Sequence, residues 1–182
     1  MSTPGPESGP LLDRAAITEA LRQLGDRLAY RGVVADLYVF GGAAMALSYD
    51  QRRATRDIDA LFCPHGVVQA EAQAVALALG LPRWWLNEQA SVYVAPGGDP
   101  DAPLVFDHPG LRVHAASAPH LLAMKVLAGR RRDADDIRLL ADHLGLRTAV
   151  QVQEVCEATL PDEPLPKRSE LLLEELFDPS DR

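Results

Sequence analysis

Asp57 and Asp59 flank a single residue, and fourteen residues separate them from the pair Gly41-Gly42. Carboxylates at alternate positions of a strand point to one face, while Ile58 between them turns to the other, toward a core. Two like charges held side by side repel unless a cation shares them, and hard carboxylate oxygens suit Mg²⁺ or Mn²⁺. The glycine pair would end a strand entering at Asp36–Phe40 and open a helix. The first N–H groups and the positive dipole end of that helix face any nearby anion, and a triphosphate fits there. Glycines also serve a tight strand-to-helix turn, and the two roles agree, because a turn without side chains admits phosphate oxygens to the backbone. Downstream, the run Leu121-Leu122-Ala-Met-Lys125-Val-Leu-Ala sets one ammonium in an apolar helix, where it must snorkel to water or find a partner. Asp133 and Asp136 follow at a spacing that places both on one helix face. Asp133 suits a helix start, and Arg130 could pair with either acid.

These residues need elements to hold them. Apolar residues at Leu12, Ala15, Ala16, Ala20, Leu21, Leu24 and Leu28 predict an amphipathic helix over Leu11–Arg31, preceded by a loose Met1–Pro10 rich in turn formers. Val33–Phe40 reads as a strand, Ala43–Tyr49 as a short helix and Asp57–Phe62 as a second strand closed by Pro64. Val67–Leu79, apolar on more than one side, fits a helix packed on a sheet and stopped by Gly80. Trp84 and Trp85 are expected to fill a core rather than to stack on bases. Ser91–Val94, Leu104–Phe106 and Leu111–Ala115 are short strand candidates. Asp107-His-Pro-Gly110 is predicted to make a hairpin turn between the last two, with Asp107 in the turn. Helices are predicted over Pro119–Ala128, from Asp133 to Leu144 with Gly145 as the stop, over Thr148–Leu160 and over Lys167–Phe177, with Pro161–Pro166 as a linker.

The 182 residues, 47% of them hydrophobic, suffice for one ordinary core. A net charge of −8 with a pI near 5.0 argues against a surface that grips nucleic acid everywhere, because Lys and Arg supply most of that affinity. A local patch of Arg130-Arg131-Arg132, with Arg52, Arg53 and Arg56, could still meet RNA; a solvated helix end explains the same arginine run. Cys63 and Cys156 have no zinc or disulfide spacing and are expected to be reduced and at least partly buried. The five histidines are scattered, and no G-x-S-x-G elbow or Walker lysine loop is present. Met1–Pro10 has no basic start and no apolar core of signal-peptide length, and no later segment offers about 18 uninterrupted apolar residues, so the expectation is a cytoplasmic chain with no membrane partner.

The order Gly41-Gly42, Thr55-Arg56-Asp57-Ile58-Asp59, then Lys125 with Arg130-Arg-Arg-Asp133-Ala-Asp-Asp136, resembles the nucleotidyltransferase fold of DNA polymerase β-like enzymes. It is similar in particular to AbiEii-like toxins of toxin–antitoxin systems and related small nucleotidyltransferase-like proteins, over roughly Tyr38 to Leu140. The resemblance implies an α/β fold with a small mixed sheet flanked by helices and a C-terminal helical part. It also implies a flexible 1–10, a nucleotidyltransferase-like domain over 11–145, and helices of 146–182 packed on that domain. It implies catalytic roles for Asp57, Asp59, Lys125 and Asp136, Mg²⁺ or Mn²⁺ on Asp57 and Asp59, and nucleotide contacts from Gly41, Gly42, Arg56 and Lys125. These groups would then converge on one cation-filled hollow. The implied activity moves a nucleoside monophosphate from an NTP to a hydroxyl, with RNA such as a tRNA 3′ end as acceptor and a cognate antitoxin as partner. The family's usual third carboxylate is missing from Leu111-Arg-Val-His-Ala. Either Asp136 substitutes for it in a toxin-like layout, or the chain is a silent nucleotide-binding or regulatory module; an antitoxin-type enzyme that nucleotidylates a partner protein is a further alternative.

Overall fold

Helix α1 (Arg14–Tyr30) begins where Asp13 caps it, the carboxylate accepting from Ala16 N–H at 2.8 Å. The cap satisfies one orphan donor of the first turn. Ile17, Leu21, Leu24 and Leu28 recur at spacings of three and four and are all fully buried. Each contributes roughly 1.5–3 kcal/mol relative to exposure. The computed structural model describes residues 9–89 and 98–178. The strand candidate Ser91–Val94 and most of the expected loose Met1–Pro10 lie outside the described residues.

The described residues make an α/β protein with a five-stranded mixed sheet, flanking helices and a C-terminal helical part. The strands are β1 (Ala35–Val39), β2 (Ile58–Cys63), β3 (Leu86–Asn87), β4 (Leu104–His108) and β5 (Leu111–Ala115), in the spatial order β3-β2-β1-β5-β4. β1 pairs antiparallel with β2 and parallel with β5; β2 and β3 are parallel, and β4 and β5 form an antiparallel hairpin. Between β1 and β2 the chain makes α2 (Gly41–Ala44), which runs directly into a π-helical turn over Met45–Tyr49. α3 (His65–Leu79) connects β2 to β3 and ends on Gly80, whose φ of 66° suits a residue without a Cβ.

The described residues fall into two compact units. One comprises α1 through β3 together with Ala102–Ala115; the other comprises residues 98–101 and the chain from Ala116 onward. In the first, α1 contacts β4, β5 and α3, and α3 contacts β2. Trp85 is completely buried and its indole N–H donates to Ala72 O of α3 at 2.8 Å, which answers the tryptophan question in favour of the core; Trp84 is half-buried. In the second unit, α4 (Ala118–Ala128) contacts α5 (Ala134–His143), α6 (Ala149–Thr159) and α7 (Lys167–Leu176). Ser169 of α7 is buried and donates to Val126 O of α4 at 2.6 Å. A Cβ at Gly129 would stand 2.8 Å from Arg168 Nε, so glycine at the end of α4 is required by φ and by space alike.

Several expectations need correction. β4 runs through His108, so Asp107 is a strand residue opposite Arg112 rather than part of the turn. Cys63, at the end of β2, is exposed; Cys156 is buried, and burial pushes its thiol up to about 12. The helix after the glycine pair starts earlier than Ala43 and only its first four residues are α-helical. No helix among the described residues is long and apolar enough to cross a membrane.

Candidate functional site

The glycine corner and Asp59 meet in the first unit. Gly41 sits at φ 63°, the left-handed region that other residues avoid, directly after β1 and its buried neighbour Phe40. Phe40 N–H donates to Asp59 O at 3.0 Å, continuing the β1–β2 ladder to the corner. A Cβ at residue 41 would stand 3.1 Å from Asp59 Oδ2, so the Asp59 carboxylate lies against the bare face of the turn. Ile58 is buried as the alternation requires, and Asp57 and Asp59 are both partly exposed. Strand pairing starts at Ile58, so Asp57 occupies the bend leading into β2 rather than the strand itself.

Asp57 has a raised carboxyl pKa. Burial is the leading cause, opposed by a hydrogen bond from Asn87, so repulsion from Asp59 is not what moves it. Asn87 was not among the residues singled out from sequence, yet its Nδ2 donates to Asp57 Oδ2 at 3.0 Å and to Trp84 O at 3.2 Å. Its Oδ1 accepts from Gln89 N–H at 2.9 Å. Thr55 was also missed as a structural residue. Its backbone bridges to Leu12, with Leu12 N–H to Thr55 O at 2.6 Å and Thr55 N–H to Leu12 O at 2.9 Å. A Cβ at Gly42 would stand 2.8 Å from Thr55 Oγ1, so the second glycine is needed for a close approach of this threonine. Arg56 is exposed in the bend just before Asp57.

Lys125, Asp133 and Asp136 meet in the second unit. The Lys125 ammonium lies 2.7 Å from Asp136 Oδ2 and 3.0 Å from Asp133 Oδ1, with the three side chains 9%, 4% and 13% exposed. Lys125 therefore does not snorkel to open water: two carboxylates hold it inside α4's apolar surroundings. Asp133 stands at the N-cap position of α5 but makes no capping hydrogen bond, because its carboxylate is turned to Lys125 instead. Arg130, Arg131 and Arg132 are exposed, and Arg131 pairs with Glu175 at 2.7 Å, as a solvated helix connection would.

The donor set of the first unit fits a hard divalent cation. Asp57 and Asp59 offer carboxylate oxygens, and a cation there would offset the cost of a half-buried Asp57 charge. Among the described residues no group of three or more His, Cys, Asp or Glu side chains is arranged to hold a metal. An ion on the pair would complete its shell from water and phosphate oxygens, the habit of Mg²⁺. β5 brings Arg112 and His114 beside Asp36 and Tyr38 of β1, and contributes no acid. The α-helical turn that opens at Gly41 is four residues long, so it lends little macrodipole to an anion. The chain matches no protein-family model, no curated protein and no solved structure.

Proposed function

We propose that this chain is a Mg²⁺-dependent nucleotidyltransferase of the polymerase β-like fold, akin to the AbiEii-like toxins, moving a nucleoside monophosphate from an NTP to a hydroxyl acceptor. The acceptor of choice is RNA such as a tRNA 3′ end, with an antitoxin protein as cognate partner. One observation carries the reading: the Asp59 carboxylate rests against the left-handed Gly41 corner at the end of β1, with Asp57 one residue before Ile58. The two sequence features that suggested a nucleotide site are thereby neighbours in space. Asp57 and Asp59 would hold the cation, which supplies charge neutralisation on the phosphates when bound. The corner's small residues keep bulk away from a triphosphate, and Thr55, bridged to Leu12, fixes the loop that delivers Asp57. Arg56, exposed beside it, is the cationic side chain nearest in sequence for a phosphate oxygen.

The test is incubation with each labelled NTP, Mg²⁺ and total tRNA, in parallel with Asp57→Asn and Asp59→Asn. Label should enter RNA with the parent chain and fall by at least a hundredfold with either variant. Equal labelling by all three would dismiss the assigned site. The second reading, a silent nucleotide-binding module, is favoured by β5, whose Leu111–Ala115 carries no acid to accept the proton of an attacking hydroxyl. Mg²⁺-dependent NTP binding with no transfer to RNA or to protein acceptors is its signature. Label on a partner protein instead of RNA would point to the antitoxin-type enzyme.

A further inference from the structure

We propose that Asn87 is a positioning residue for the cation, holding Asp57 so that one chosen carboxylate oxygen is left for the ion; this rests on the metal reading of Asp57 and Asp59 given above. β3 is only two residues long, and it places Asn87 opposite Asp59 in the parallel register with β2. That pairing carries the side chain to within 3.0 Å of the other acid, Asp57. Both hydrogens of the amide nitrogen are used, one on Asp57 Oδ2 and one on Trp84 O, and the amide oxygen accepts from Gln89 N–H. A flipped amide would set its oxygen against a carboxylate and a carbonyl while leaving Gln89 N–H without its acceptor. The orientation is therefore dictated by three contacts, two of them to backbone.

Two consequences follow for a cation. The bond occupies one lone pair of Oδ2 and restrains rotation of the carboxylate, so that Oδ1, which the amide does not touch, is the oxygen presented to an ion. The donor is also neutral. A lysine or arginine at this position would satisfy the same oxygen while cancelling the negative charge that draws a divalent ion, whereas an amide orients the acid and leaves its charge in place. Carboxylates that ligate metals are commonly held by such outer partners, whose removal costs about 10–100-fold in affinity.

The experiment measures Mn²⁺ binding directly, by loss of the free-ion paramagnetic resonance signal, for the parent, Asn87→Leu, Asn87→Ser and Asp57→Asn, with the folded fraction of each followed by circular dichroism. The expected result is Mn²⁺ binding by the parent, loss with Asp57→Asn, and at least tenfold weaker binding by folded Asn87→Leu. Asn87→Ser, which keeps a hydroxyl donor on a shorter side chain, supplies the comparison if the leucine variant does not fold, and should also bind at least several-fold more weakly. A merely structural asparagine would lower the thermal midpoint and leave the affinity of the folded protein alone. Binding equal to the parent in a folded Asn87 variant overturns the positioning role while the metal site stands. No Mn²⁺ binding by the parent overturns the metal reading itself, and the inference with it.

Discussion

Lys125 illustrates how one buried charge constrains its neighbours. Its side chain is 9% exposed and its ammonium is shared between Asp133 and Asp136, so two buried or nearly buried negative charges lean on one positive one. Replacing such a trio by apolar groups of similar size can be nearly neutral, whereas removing one member leaves uncompensated charge. Lys125→Met should therefore destabilise the chain by about 3–5 kcal/mol, read as a lower urea midpoint. Adding Asp133→Asn and Asp136→Leu should recover much of the loss. If the single variant matches the parent midpoint, water already screens the acids and the trio contributes nothing. The apolar run around this lysine made its need for water or a partner legible but not which partner: Lys125 lies on α4, whereas Asp133 and Asp136 lie at the start of α5 beyond the Gly129 break, where spacing alone pairs them with Arg130. What spacing did not reveal is that Asp133 abandons the capping role that its position favours. The competition is between an N–H donor of partial charge and a full ammonium, and the ammonium wins.

At the scale of elements, the corner between β1 and α2 has two separable costs built into it. Alanine at residue 41 would have to adopt φ 63° and bring its Cβ to 3.1 Å from Asp59 Oδ2. Gly80, with φ 66°, has nothing within 4 Å of where a Cβ would lie. Gly80→Ala should lose about 1–2 kcal/mol from backbone strain alone, and Gly41→Ala should lose that and more, with the excess measuring how firmly Asp59 is held. Urea unfolding of both variants gives the difference; equal losses would mean that Asp59 swings aside without cost. Most elements were readable because their signals are local: α1 from its three-and-four periodicity, α3 from its Gly80 stop, β5 from its alternation. β3 was not, since two residues are too few to show a period, and its strand character comes from pairing with β2 across α3. The π-turn after α2 escaped for a related reason, as nothing in Met45–Tyr49 marks a change of hydrogen-bond spacing. Asn87 was lost with β3, because its partner Asp57 lies 30 residues away and no local rule connects them.

For the molecule as a whole, charge would limit how it could hold the RNA acceptor proposed above. The net charge is −8, and of the three consecutive arginines one is already engaged with Glu175. Each phosphate neutralised by a cationic side chain contributes close to one unit to the dependence of log affinity on log salt. Anisotropy titrations with tRNA between 50 and 200 mM salt should give a slope of only about −1 to −3. A slope steeper than about −6 would require an extended basic surface that this composition does not supply. Recognition would then depend on the acceptor's end rather than on its length. A practical corollary comes from the bridge between Leu12 and Thr55, where two backbone hydrogen bonds stitch the chain ahead of α1 to the loop that leads into Asp57. A truncation beginning at Asp13 would keep the helix and its cap but remove the buried Leu12 and unlatch that loop, so a less stable protein whose Asp57 is no longer fixed in place is the expected product of trimming too far.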